Sequence, residues 1–167
     1  MRFLKAMWSQ VGKGQAPQAK ESIVAPQAVG VNHGARATGA TAPTRKALGD
    51  QGEDWACAYL QAQGLQLVAR NYRTPGRGGG EIDLIMRERD GTLVFVEVRR
   101  RQRADFGGAA ASVTASKQRR IVLAAQHYLQ QLGGREPPCR FDVVVLQGSA
   151  LHSAPQCEWM RGAFDAA

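Results

Sequence analysis

The feature that most constrains the fold is a pair of alternating runs, Glu81-Ile82-Asp83-Leu84-Ile85 and Phe95-Val96-Glu97-Val98-Arg99, around Arg89-Asp90-Gly91. Side chains on a strand alternate between faces. Glu81 and Asp83 are therefore expected on one face and Ile82 and Leu84 on the other, while Glu97 and Arg99 share a face opposite Val96 and Val98. The turn decides whether the two polar faces coincide. A two-residue Asp90-Gly91 loop would set Asp83 opposite Val98 and separate the carboxylates. A three-residue Arg89-Asp90-Gly91 loop, ending with Gly91 in the left-handed conformation, sets Asp83 opposite Glu97 and Glu81 opposite Arg99. The second register also keeps both apolar faces together, as burial demands, so it is the one predicted.

Two facing carboxylates beside a third are costly unless positive charge lies between them. Oxygen ligands of this kind suit Mg²⁺, which binds one or two carboxylates plus substrate phosphate and can activate water at a phosphodiester. Ordinary exposed hairpins also carry alternating acids and cross-strand Glu–Arg pairs. Here, however, the polar residues leave the interiors of strands whose other face is strongly apolar, next to the Gly/Arg-rich loop at 74–80. A site is the better reading.

Around this hairpin the chain reads as α-β-β-β-α-β, a mixed α/β order. Leu48, Gly52, Trp55, Ala56, Tyr59 and Leu60 recur at helical spacing over about 46–63, and Gly64 ends that helix. A strand follows over 65–72, with Leu65, Leu67 and Ala69 alternating inward. Ser112 or Thr114 caps a second helix reaching about Leu132, with the stripe Val113, Ile121, Leu123/Ala124, Tyr128 and Leu132. Residues 140–147 form the most hydrophobic strand, expected to be central and covered on both faces. A short last strand is placed near 158–160.

Charge divides the chain unevenly. The whole has 22 Lys+Arg and 14 Asp+Glu, a formal +8. Residues 1–47 hold seven bases and one acid, a net +6, which leaves +2 for the remainder. The segment 1–46 is rich in Ala, Gly, Gln, Pro and Ser and reads as a disordered basic tail, with a folded domain over 47–167. Such a tail either raises non-specific affinity for nucleic acid or merely solubilises. No apolar run approaches the roughly 18 residues of a membrane span, so no membrane partner is expected. Three widely spaced cysteines, Cys57, Cys139 and Cys157, give neither a disulfide framework nor a thiolate zinc site and suggest a reducing, cytoplasmic setting.

Together with Arg70-Asn71-Tyr72-Arg73, Gly52-Glu53 and Arg140-Phe141-Asp142-Val143-Val144, the hairpin motifs resemble the bacterial YraN family. That family is similar to archaeal Holliday junction resolvases of the PD-(D/E)xK nuclease superfamily, and the resemblance spans roughly 48–165. It implies a restriction-endonuclease-like α/β core, with a central mixed sheet flanked by helices. It further implies Mg²⁺ or Mn²⁺ as cofactor, structured or branched DNA as partner, and a role in recombination or repair. Asp83 and Glu97 match the superfamily's metal-binding acids, Glu53 the first-helix glutamate of resolvase-like members, and Glu81 the family's own spelling. Resolvase-like proteins often form homodimers, though no interface is legible in this sequence.

The sequence departs from the pattern where the family has Lys and this chain has Arg99. Arginine holds phosphate bidentately but stays protonated and cannot act as a general base. Lys117, the single lysine of 48–167, either reaches the acids in its place or belongs to a solvated helix face. Arg77, Arg100, Arg101, Arg103, Arg119 and Arg120 form a candidate phosphate-binding rim. His127 is read as structural, and His152 lacks a partner at metal-ligand spacing. The glycine loop lacks the Lys-Ser/Thr of a P-loop, and the scattered aromatics give no stacking platform. Two functions follow: a metal-dependent endonuclease-like protein, or a nucleic-acid-binding module that keeps the fold without turnover. Glu53 is expected to lean towards Asp83 and Glu97, and Asp54 to point away.

Overall fold

The computed structural model describes residues 44–76, 78–101, 113–148 and 155–166. The basic tail, apart from its last three residues, lies outside the described residues, as do Arg77, Arg103 and His152. In chain order the elements are α1 (Arg45–Ala62), β1 (Gln66–Arg73), β2 (Glu81–Arg87), β3 (Leu93–Arg101), α2 (Ala115–Leu132), β4 (Cys139–Gln147) and β5 (Gln156–Phe164). The strands form one sheet in sequence order, antiparallel everywhere except between β3 and β4. Parallel neighbours require a crossover, and α2 lies on it. This is the mixed α/β fold read from the sequence.

Each helix covers one face. Thr44 caps α1 by accepting from the Ala47 amide at 3.2 Å, and Thr114, one of the two caps expected, caps α2 by accepting from Lys117 N at 3.3 Å. Ala56, Cys57 and Leu60 of α1 pack on Leu84, Met86, Val94, Val96, Val144 and Leu146. Ile121, Ala124, Ala125 and Leu129 of α2 pack on Ile82, Ile85, Phe95, Phe141, Val143 and Val145. The predicted α2 stripe needs correction: Leu123 and Leu132 are 47% and 46% exposed, because Ala125 and Leu129 take the inward positions. Strand β4 is interior and covered on both faces, although β3 is the middle strand. At the edge, β1 slips register between Leu67 and Ala69, and Leu67 and Val68 are left exposed, against the simple alternation predicted there. Strand β5 is longer than expected, with its own register shift opposite Phe141 and Val143.

The hairpin closes as predicted. Glu88 N donates to Thr92 O at 2.9 Å, Gly91 N to Glu88 O at 3.0 Å, and Gly91 has a φ of 91°. The register Leu84↔Val96 and Ile85↔Phe95 is the one deduced from the three-residue loop. Those pairs end at Leu84↔Val96, however, while β2 continues to pair with β1 as far as Glu81. Ile82 packs under α2 and Leu84 under α1, so the expected alternation breaks at Asp83. The strands fork there.

Candidate active site

The fork creates the site. Where β2 parts from β3, the amide of Val98 donates to Asp83 Oδ2 at 2.7 Å. A side chain thus satisfies a main-chain donor beyond the last paired residues. One residue back, Glu97 leaves β3 on the α2 side and is 3% exposed. Lys117, from the first turn of α2, places Nζ 3.0 Å from Glu97 Oε2, and Arg99 Nε lies 3.6 Å from Oε1. The Lys117 ammonium sits beside Oε2 but off the line of a good hydrogen bond, so that oxygen is buried with charge next to it and no well-directed donor.

The electrostatics follow from this crowding. Burial, then the charge of Asp83, pushes Glu97 up to about 7, against the pull of Lys117 and Arg99. Burial also raises Asp83, opposed by the Val98 hydrogen bond and by Lys117. Glu53 is raised by burial and then by Asp83, with the neighbouring Asn71 side chain pulling the other way. Asp54 instead pairs with Arg70 at 2.6 Å on an exposed surface. Adjacent acids of α1 therefore serve different neighbours. Glu53 feels the fork and Asp54 secures β1. Among the described residues no three His, Cys, Asp or Glu side chains gather into a metal-binding group, so Glu53 borders the hairpin pair without joining it in one cage.

The Arg70-Asn71-Tyr72-Arg73 run, whose individual roles the sequence left unread, ties β1 to its neighbours. Arg70 takes Asp54, and Asn71, at φ 51°, lies close enough to Glu53 to favour its charged form. The Tyr72 hydroxyl lies 2.6 Å from His127 Nδ1 and donates to Gln131 Oε1 at 2.9 Å. Arg73 takes Glu81 through Nε and Nη2 at 2.9 and 2.7 Å. This corrects the expected Glu81–Arg99 opposition: beyond the fork, Glu81 stays with β1 and meets Arg73, while Arg99 turns to Glu97. His127 is structural, as read.

The rim is only partly assembled. Arg119 and Arg120 are exposed on the first turns of α2, beside Lys117. Arg101 lies at the end of β3. Arg100 is not brought to this face. Its Nη1 donates to Leu48 O at 2.7 Å, and its methylenes cover Gly52, where an added Cβ would lie 3.1 Å from Arg100 Cδ.

A second buried acid shows what a finished structural carboxylate looks like here. Asp142 is fully buried and accepts from Arg140 Nε and Nη2, Trp159 Nε1 and Gly162 N at 2.8 to 3.0 Å. Arg140 also holds Glu88 at 2.9 Å. Four donors saturate Asp142, whereas Glu97 lacks a well-aimed donor for one oxygen. That unmet oxygen, with Asp83 beside it, fits a divalent cation that takes one or two carboxylates and completes its shell with substrate phosphate and water.

A five-stranded mixed sheet between two helices, forked at a carboxylate pair that a helix lysine reaches, defines the class: an α/β protein with an acidic centre at the fork. The sequence profile of Uncharacterised protein family UPF0102 matches residues 52–146. The chain belongs to that family, the YraN family. A UPF0102 protein of Acidovorax sp. (strain JS42) is 62% identical over 128 residues, covering 77% of this chain and 92% of the relative. Those of Verminephrobacter eiseniae (strain EF01-2) and Paracidovorax citrulli (strain AAC00-1) are 60% and 59% identical over 123 residues, 74% of this chain and 81% and 86% of each relative. No helix among the described residues is long and apolar enough to cross a membrane.

Proposed function

We propose that the protein is a metal-dependent endonuclease acting on structured or branched DNA in recombination or repair. The observation that carries the reading is the buried Glu97 carboxylate, set beside Asp83 at the fork and reached by Lys117. Asp83 and Glu97 would hold Mg²⁺ or Mn²⁺, which when bound supplies an activated water and offsets charge building up on the phosphate. The Val98 amide fixes Asp83 in place. Arg99 binds a phosphate oxygen at the mouth of the site, and Lys117 supplies the amine that the strand position lacks. Asn71 and Glu53 orient the far side of the pair.

The test is cleavage of junction, flap and single-stranded DNA with Mg²⁺ or Mn²⁺, run beside Asp83→Ala. Cleavage that needs the metal and disappears in the variant supports the reading. Its absence, or its survival in Asp83→Ala, sinks it. Arg99 favours a second reading, a DNA-binding module without turnover, because its guanidinium cannot take up a proton from water. That reading expects salt-sensitive binding without divalent metal and no product, and activity created by Arg99→Lys would show a site intact but disabled by that one residue. Lys117 at 3.0 Å from Glu97 argues for the first.

A further inference from the structure

Beside the carboxylate pair a cleft of about 400 Å³ opens between the glycine loop and the first turns of α2. Its charged walls are Arg73, Lys117 and Arg120 against one acid, Glu81, which Arg73 already neutralises. Lys117 faces both ways, lining the cleft and pairing with Glu97. The cations sit in an unusual place. The first turn of α2 has no acidic residue, although a helix N-terminus is its positive end and disfavours added cations by roughly 0.3–1 kcal/mol each. An anion in the cleft would reverse the sign of that effect.

The cleft wall is backbone by necessity. A Cβ at Gly80 would overlap the Arg120 carbonyl and press on Ala124, and one at Gly79 would overlap Thr74. Thr74 pins the loop from inside: Gly80 N donates to its Oγ1 at 2.7 Å, and Thr74 N to Gly80 O at 3.1 Å. Gly76 and Gly78, at φ 89° and 83°, also line the space without side chains. Among the described lining residues none is aromatic or a large apolar group, so the cleft offers charge and main chain but no surface on which a base could stack. Its volume falls at the small end of the roughly 300–1,000 Å³ typical of single-ligand sites. It is too small for a duplex face.

We infer that this cleft is a phosphate subsite, taking one phosphate of the strand held at the fork, with Arg73, Lys117 and Arg120 as its cations. The identification of the phosphate as part of a DNA strand rests on the proposed function; the anion chemistry does not. Two experiments on the full chain in EDTA test it. Titration with inorganic phosphate, followed on the glycine amides of the loop by ¹⁵N NMR, should shift Gly76, Gly78, Gly79 and Gly80. Anisotropy of short fluorescent DNA strands should show binding about fivefold weaker in Arg120→Gln, with the salt slope reduced by about one. The exposed Arg87→Gln, at the other end of β2, removes the same charge and should leave binding unchanged.

Strands with and without a 5′-terminal phosphate separate the two sources. A preference for the phosphorylated strand assigns the cleft to a strand end, and equal binding assigns it to an internal phosphodiester; both support the subsite. Unmoved glycine amides, or equal losses in the two arginine variants, overturn it. Metal-free binding keeps the outcomes apart. A protein that cleaves but is indifferent to Arg120→Gln loses the subsite and keeps the nuclease reading, and one that binds through Arg120 without cleaving does the reverse.

Discussion

Glu97 concentrates the conflict in this molecule: a carboxylate 3% exposed, next to another carboxylate, offset by two cations that are themselves about a third exposed. Its folded pKa, raised from 4.5 to about 7, fixes the sign of a pH effect. An acid that binds its proton more tightly when folded stabilises the fold below its unfolded pKa, and that contribution is lost as pH rises through the folded one. The melting temperature should therefore fall between about pH 5 and pH 7.5. Glu97→Gln should flatten that fall and, at pH 8, stabilise the protein by about 2 kcal/mol, since a tenfold change in proton affinity corresponds to about 1.4 kcal/mol and relaxation around the charge takes back part of the whole. Thermal melts across this range check it; a variant with the same slope as the parent would show that Glu97 is not the group responsible. Added Mn²⁺ should raise the melting temperature of the parent at pH 8 and leave that of Glu97→Gln nearly unchanged, because a ligand that binds only the folded state stabilises it.

At the scale of elements, the close passage of α2 over Gly80 sets the position of Lys117. Any side chain at 80 meets main chain, the Arg120 carbonyl, which cannot swing aside as a flexible tip would. Gly80→Ala should therefore cost about 1–3 kcal/mol and push the first turns of α2 outward. Denaturant unfolding gives the first quantity, and loss of the pH effect assigned to Glu97 reports the second. Much of this layer is legible in the sequence, because periodicity and turn chemistry are local. The three-residue loop with Gly91 at φ 91°, the register Leu84↔Val96, Thr114 as one of two possible caps and both helices all follow from short-range rules. What those rules miss comes from strand neighbours. Nothing local says that β2 leaves β3 at Asp83 while keeping β1, so alternation alone sets Glu81 against Arg99 when its partner is Arg73. Arg100 reads as one of a basic run, yet a long side chain at a strand end can fold back on a helix, and Gly52 leaves the room for it. Leu123 and Leu132 fit an apolar stripe by spacing, but the sheet below α2 selects Ala125 and Leu129 instead.

Over the whole molecule, two aspartates meet their surroundings differently, Asp83 half-buried at the fork and Asp142 fully buried. Both accept main-chain amides where a strand pairing is interrupted: Asp83 from Val98 at the fork, and Asp142 from Gly162, at φ 57°, where β4 and β5 shift register. Asp142 lies on the sheet face opposite Glu97, saturated by Arg140, Trp159 and Gly162, and through Arg140 it reaches Glu88 next to the hairpin turn. Removing one member of so buried a network strands the rest. Asp142→Ala should cost about 3–5 kcal/mol, while the fraction still folded binds DNA as the parent does. Asp83→Ala takes away one hydrogen-bond acceptor, worth about 1 kcal/mol, and also relieves Glu97 of a repelling neighbour. Its stability should stay within about 1 kcal/mol of the parent at pH 8 while metal-dependent activity is lost. Denaturant titration, DNA anisotropy and metal-dependent cleavage on the two variants side by side decide the matter. If Asp83→Ala proves the more destabilising, the fork is there to hold the sheet together and the site reading of its carboxylates fails. If Asp142→Ala proves the more destabilising and Asp83→Ala the more damaging to activity, the fork keeps its charges close for a ligand, because stability alone gives no reason to leave them under-bonded.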